Sequence, residues 1–163
     1  MRNESNIRGI IMDCLYKTKT INTFEEYRRF SRVLMYKKRS IIIYALLAVF
    51  LIFDSIVLHN PIFMLFAIIY PILIWVIHNR QVKKVFNTNK ALQNAEVNFE
   101  FYDTYFAETN DYGNTKLEYS KLHKIVETKT NFYLMIAKNQ GFILVKENLP
   151  EGLEVFLRNI KIS

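Results

Sequence analysis

The sequence predicts a membrane α+β protein: a two-helix transmembrane hairpin joined to a cytoplasmic antiparallel sheet that ends in a C-terminal helix. Three observations predict it. From Ile41 to His78 the chain holds one acid, Asp54, and no Lys or Arg. Basic residues crowd both sides of that window. From Val97 onward the apolar residues alternate, which is the period of a half-buried strand.

The apolar window divides into two spans. IIIYALLAVFLIFDSIVL covers 41–58, and a second run from Pro61 to His78 follows. Each has the length of a short membrane-crossing helix, and one helix over both would be too long for a bilayer. Asn60–Pro61 supplies the break, because proline disfavours helix at the residue before it and tolerates a helix start at its own position. The turn is short enough to force an antiparallel hairpin. Pro71 is expected to kink the second span. Tyr44, Tyr70 and Trp75 are candidate interfacial or packing aromatics.

Charge sets the expected orientation. Arg28, Arg29, Arg32, Lys37, Lys38 and Arg39 precede the first span; Arg80, Lys83, Lys84 and Lys90 follow the second. None lies in the His59–Asn60 turn. Both termini are therefore expected on the cytoplasmic side of a multi-pass protein. The net charge of +7 is juxtamembrane, since residues 91–163 carry eight Lys/Arg against ten Asp/Glu. A nucleic-acid binder would spread its basic groups over a folded face, so no nucleic-acid partner is expected. The same flanks are expected to attract anionic lipid headgroups and hold the cytoplasmic domain near the inner leaflet.

The polar ends read as one small α+β unit. Residues 97–163 contain an antiparallel sheet of about five strands, with hairpin turns at Asn110–Asn114 and Asn139–Gly141. Leu153, Phe156, Leu157 and Ile160 share one face of a closing helix. The sheet is thin for its length, and alternation around Ile10 to Lys17 suggests that residues 1–22 add one or two strands to it. The hairpin is then an insertion into a split domain. Thr23-Phe24-Glu25-Glu26 reads as a capping box that opens an amphipathic juxtamembrane helix over 23–40. Residues 79–96 read as a basic linker or helix. Cys14, the only cysteine, reads as a small buried apolar residue.

VNFEFYDTYFAETND, followed by TKLEYSKLHKIVETKTNFYLMIAKNQGFILVKENL, resembles the C-terminal domain of the YcxB-like family of bacterial membrane proteins. The runs Tyr119–Leu122 and Ile125–Thr128, the Phe132–Leu134 strand and the strand ending in Lys146 carry the resemblance. The TFEEYRRF start and the hairpin suit that family too. ILVK departs from its pattern, and Gly141 stands where Ala is commoner. The resemblance implies a pleckstrin-homology-like fold, a bent antiparallel sheet closed by a C-terminal helix, in a bacterial cytoplasmic membrane. It implies no enzymatic activity.

No motif for catalysis stands out. HExxH, P-loop, GxGxxG and GxSxG patterns are missing from the sequence. His59 and His78 flank the second span at opposite ends, and His123 stands alone in a strand. Glu108, Asp111, Glu118 and Glu127 read as a solvated sheet face. No catalytic residue, metal or cofactor is expected. Asp54 is the candidate intramembrane polar contact, because an ionisable group in a span is costly unless it has a role. The leading functional expectation is a non-enzymatic, membrane-anchored interaction module with an unidentified protein partner and self-association through the hairpin. The alternative is an immunity protein that neutralises a membrane-active or secreted toxin.

Overall fold

A computed structural model of the chain describes residues 13–35, 38–90 and 93–162, with the side chains of the second helix described from Ile42. The chain forms two compact units: Asn22–Ala95, and a discontinuous unit of Met1–Ile21 with Glu96–Ser163.

The first unit is helical. Its elements are α1 (Phe24–Met35), α2 (Lys38–Val57) and α3 (Ile62–Thr88). Thr23 caps α1, its Oγ1 accepting the Glu26 amide at 3.3 Å. The Glu26 carboxylate of the expected capping box accepts Arg29 Nη1 at 2.7 Å. The rings of Phe24 and Tyr27 lie 5.5 and 5.8 Å from that of Phe86. Phe30, Val82 and Phe86 are buried. α1 therefore lies along the last third of α3, where the apolar positions of both helices meet.

α2 folds back on α3 through a tight turn. His59 takes a left-handed φ of 48°. Asn60 Oδ1 accepts the Ile62 amide at 3.1 Å, satisfying a donor at the start of α3. The Tyr44 and Tyr70 rings meet edge to face at 6.2 Å. α3 runs through Pro71 without a break and continues to Thr88. Gln93 Nε2 closes its end by donating to the carbonyls of Phe86 and Asn87. By length and composition α3 can cross a membrane, and the apolar part of α2, Ile42–Val57, is shorter.

The second unit is α+β. Its strands are β1 (Tyr16–Ile21), β2 (Glu96–Phe101), β3 (Tyr105–Asn110), β4 (Gly113–Glu118), β5 (Lys124–Glu127), β6 (Asn131–Ala137) and β7 (Gln140–Val145), and α4 (Leu153–Asn159) closes the chain. Two antiparallel sheets form, with orders β1-β2-β3-β4 and β5-β6-β7. This corrects the expectation of one sheet of about five strands. The reason lies after β4. Tyr119–Lys121 forms a short 3-10 turn, and the Leu122 amide bonds the Tyr119 carbonyl at 3.1 Å. Leu122 is buried by this turn, and β5 pairs with β6, not β4.

β1 pairs with β2 from Tyr16↔Phe101 to Ile21↔Glu96. Its outward residues make ion pairs, Lys17 with Glu100 at 2.6 Å and Lys19 with Glu96 at 3.3 Å. Its inward threonines tie the two sheets together. Thr18 Oγ1 donates to the Asn148 carbonyl at 2.6 Å, and Thr20 Oγ1 accepts the Val145 amide at 3.4 Å. Residues Ile10 and Met12, part of the alternation read above, lie outside the described residues. Cys14 is half-buried, not fully buried, with its thiol 3.3 Å from the Tyr16 carbonyl.

The core gathers Phe99, Phe101, Phe106, Phe132, Leu134 and Leu144 with Leu153 and Leu157 of α4. Of the helix face expected at Leu153, Phe156, Leu157 and Ile160, the first and third are buried and the others half-buried. Gly152 begins α4 with φ +87°, a left-handed value that favours glycine. A Cβ at Gly152 would also meet Tyr16 Oη at 3.0 Å.

Candidate functional site

The basic flanks fall on helices. Arg28 and Arg29 sit on α1 and pair with Glu25 at 2.8 Å and Glu26 at 2.7 Å. Arg32 follows on the same helix and is exposed. Lys37 and the side chains of Lys38 and Arg39 lie outside the described residues. Arg80, Lys83 and Lys84 are exposed on the last third of α3. Arg28, Arg80 and Lys83 come together with Phe24, Trp75 and Asn79 around a pocket of about 290 Å³. On α3, Trp75, Asn79 and Lys83 recur every four residues, and Arg80 adjoins that stripe. On α1, Phe24 and Arg28 are likewise four apart. Helical period thus aims one stripe from each helix at the same space. The sequence identified these cations as two separate flanks. Their convergence depends on α1 turning back along α3.

Ser31 Oγ and His78 Nε2 lie 3.2 Å apart, a second polar link between these helices. The sequence reading gave His78 no partner. A signal was present: His78, Val82 and Phe86 recur every four residues, and the latter two are buried. Asp54 is half-buried on α2, and its carboxylate makes no hydrogen bond or ion pair among the described residues. Its neighbour Ser55 donates to the Asn60 carbonyl at 3.1 Å and so belongs to the turn.

In the α+β unit three of the four acids read as a solvated face, Glu108, Glu118 and Glu127, have partners, and Asp111 is exposed. Glu108 is buried and accepts from the Asn110 amide group. Glu118 lies 3.8 Å from Lys121. Glu127 forms the largest cluster. Its Oε1 accepts Lys146 Nζ and Arg158 Nη2, each at 2.6 Å, and its Oε2 accepts Arg158 Nε at 3.0 Å. Glu154 takes Arg158 Nη2 at 3.0 Å. Lys146 Nζ and the Arg158 guanidinium both lie over the Phe132 ring, at 4.7 and 5.9 Å. The hydrogen bonds from Arg158 and then Lys146 hold the Glu127 carboxyl down at about 2, from an ordinary value of 4.5. The cluster joins β5, the end of β7 and α4 over one aromatic face.

The elements of that cluster lie within the stretch that matches a known family. Residues 101–160 match the family described as YcxB-like protein. This segment is similar to the YcxB-like family. No curated protein and no solved structure matches the chain. The match bears out the resemblance read from Tyr119–Leu122, Ile125–Thr128, Phe132–Leu134 and Lys146, and it extends from the end of β2 through α4.

The α+β unit also carries an open cleft of about 700 Å³, lined among others by Asp103, Tyr105, Lys116, Tyr119, Phe156 and Lys161. Lys116 Nζ lies 3.7 Å above the Tyr105 ring, and Tyr105 stacks on Tyr102 with centroids 4.4 Å apart. Tyr102 donates its hydroxyl to Glu100 at 2.8 Å. That bond, to a carboxylate already paired with Lys17, pushes the phenol up to about 12. The phenol is held as a donor. The cleft is lined by aromatic rings and by side chains of both charge signs.

Proposed function

We propose that the protein is a non-enzymatic, multi-pass protein of a bacterial cytoplasmic membrane. Both termini face the cytoplasm, and a pleckstrin-homology-like domain is presented there to a protein or lipid partner. The observation that carries this reading is the uncovered apolar surface of α2 and α3. Leu46, Val49, Phe53 and Ile56 on one helix, and Met64, Ile68, Ile72 and Trp75 on the other, are more than half exposed. Surfaces of this size need an apolar neighbour. Both segments are helical, so their backbone polar groups are satisfied internally, as hydrocarbon requires. Basic residues at the outer ends and none in the turn support the orientation.

A four-stranded and a three-stranded antiparallel sheet, closed by one C-terminal helix, support the pleckstrin-homology-like reading. The chain enters and leaves the helical unit at adjacent points, since the Asn22 amide bonds the Ala95 carbonyl at 3.0 Å. Two covalent connections thus join the domain to its anchor. β4 has β3 on one side and no strand on the other among the described residues. An open strand edge and the neighbouring aromatic cleft suit an extended polypeptide.

In-cell photocrosslinking tests the reading. Photoreactive residues at Asn114, Lys116 and Lys161 are expected to capture a defined partner, which mass spectrometry then identifies. Crosslinks confined to positions in α2 and α3, with none from the sheet or cleft, would overturn it.

A further inference from the structure

We propose that the pocket between α1 and α3 is a discrete binding site for the headgroup phosphate of one anionic phospholipid. The inference rests on the membrane reading above and sharpens it. Diffuse attraction to an anionic surface needs only net charge, whereas a site needs convergent donors.

The donors converge. Arg28 comes from α1, and Asn79, Arg80 and Lys83 come from α3, around a pocket whose lining has no acid. Arg80 and Lys83 make no ion pair among the described residues. Glu25 engages Arg28 through Nη2 only. The Arg28 guanidinium carbon lies 5.9 Å from the Phe24 ring centroid, so the aromatic wall of the pocket holds this cation in place. Two guanidinium forks and an ammonium suit the tetrahedral oxygens of a phosphate.

The apolar part of the lining selects the source of that phosphate. Phe24 and Trp75 share the pocket with the cations. Trp75 is 54% exposed, and it stands where the apolar run of α3 gives way to polar residues. Tryptophan favours this level of a bilayer. Trp75 and Lys83 are eight residues apart, a rise of about 12 Å, which spans from the acyl–glycerol boundary to the headgroup. Free phosphate would use the cations and leave the aromatic wall unused.

Native mass spectrometry of the purified full-length protein tests the site. The probes are phosphatidylglycerol, phosphatidylcholine and inorganic phosphate. The wild type is expected to retain one phosphatidylglycerol under activation that strips phosphatidylcholine. Arg80→Gln/Lys83→Gln, which alters only exposed side chains, is expected to weaken that retention at least about tenfold, because charge-assisted hydrogen bonds are lost. Adding Arg28→Gln is expected to abolish it. Arg32→Gln/Lys84→Gln removes the same charge outside the pocket and is expected to keep it. Equal losses in the two double variants would overturn the site in favour of diffuse attraction. Displacement of the lipid by inorganic phosphate at equal concentration would overturn the lipid as occupant. Failure of the membrane reading looks different: the wild type itself would leave the membrane fraction.

Discussion

Arg158 grips Glu127 with two nitrogens, Nη2 at 2.6 Å from Oε1 and Nε at 3.0 Å from Oε2. The pair binds α4 to β5, and Lys146 shares the same carboxylate. The folded carboxyl is held at about 2, below its ordinary 4.5. Its stabilisation is therefore fully present above 4.5 and is lost as the pH falls toward 2. Glu127→Gln is expected to lower the thermal midpoint at neutral pH and to flatten its decline over that acid range. Circular dichroism melts of the full-length protein in detergent, across pH, check this. An unchanged pH profile would remove Glu127 as the anchor of α4.

Thr18 is buried on β1 and donates to the Asn148 carbonyl beyond the end of β7. Thr18→Val keeps the shape and leaves that carbonyl short of one donor. A loss of about 1 kcal/mol is expected. Denaturant unfolding of the α+β signal measures it. Hydrogen exchange is expected to show faster opening at β1 and β7 than at β3 and β4.

Gly141 has no room for a side chain. An added Cβ would lie 2.7 Å from the Leu134 carbonyl oxygen and 3.0 Å from Met135, beside an irregularity in the β6–β7 register. Gly141→Ala is expected to destabilise the unit by about 1–3 kcal/mol. An alanine variant with unchanged stability would mean that the two strands shift freely here.

Asp54 has no partner within the chain among the described residues, so the fold does not depend on its charge. Asp54→Leu is expected to keep the helical hairpin intact and to reduce the cost of inserting α2 by up to about 3 kcal/mol. A glycosylation-based insertion assay on the isolated hairpin sequence reads the change. Loss of the folded full-length protein would show instead that the carboxylate holds a partner.

The α+β class, the apolar hairpin sequence and most strands were legible in the sequence because they rest on period and on runs of like residues. The hairpin turns at Asn110–Asn114 and Asn139–Gly141 were legible for the same reason: short polar segments separate alternating ones. The division into two sheets was not, because it depends on the buried Leu122 and a three-residue turn with no distinctive composition. The pairing of Glu127 with Arg158 was also hidden. The two residues are 31 positions apart, and only the docking of α4 brings them together. The pocket on α1 and α3 was half legible. Its cations were identified one by one as flanks, while their convergence needed the fold.

The central claim is that the hairpin crosses the membrane with its turn outside and the YcxB-like segment inside. Cysteine accessibility in intact cells tests it most directly. With Cys14 replaced by Ser, single cysteines are placed at Asn60 and at Asp111, and cells are treated with a membrane-impermeant maleimide. The account predicts labelling at position 60 in intact cells and at position 111 only after permeabilisation. Labelling at position 111 in intact cells, or protection of position 60 until permeabilisation, would contradict it.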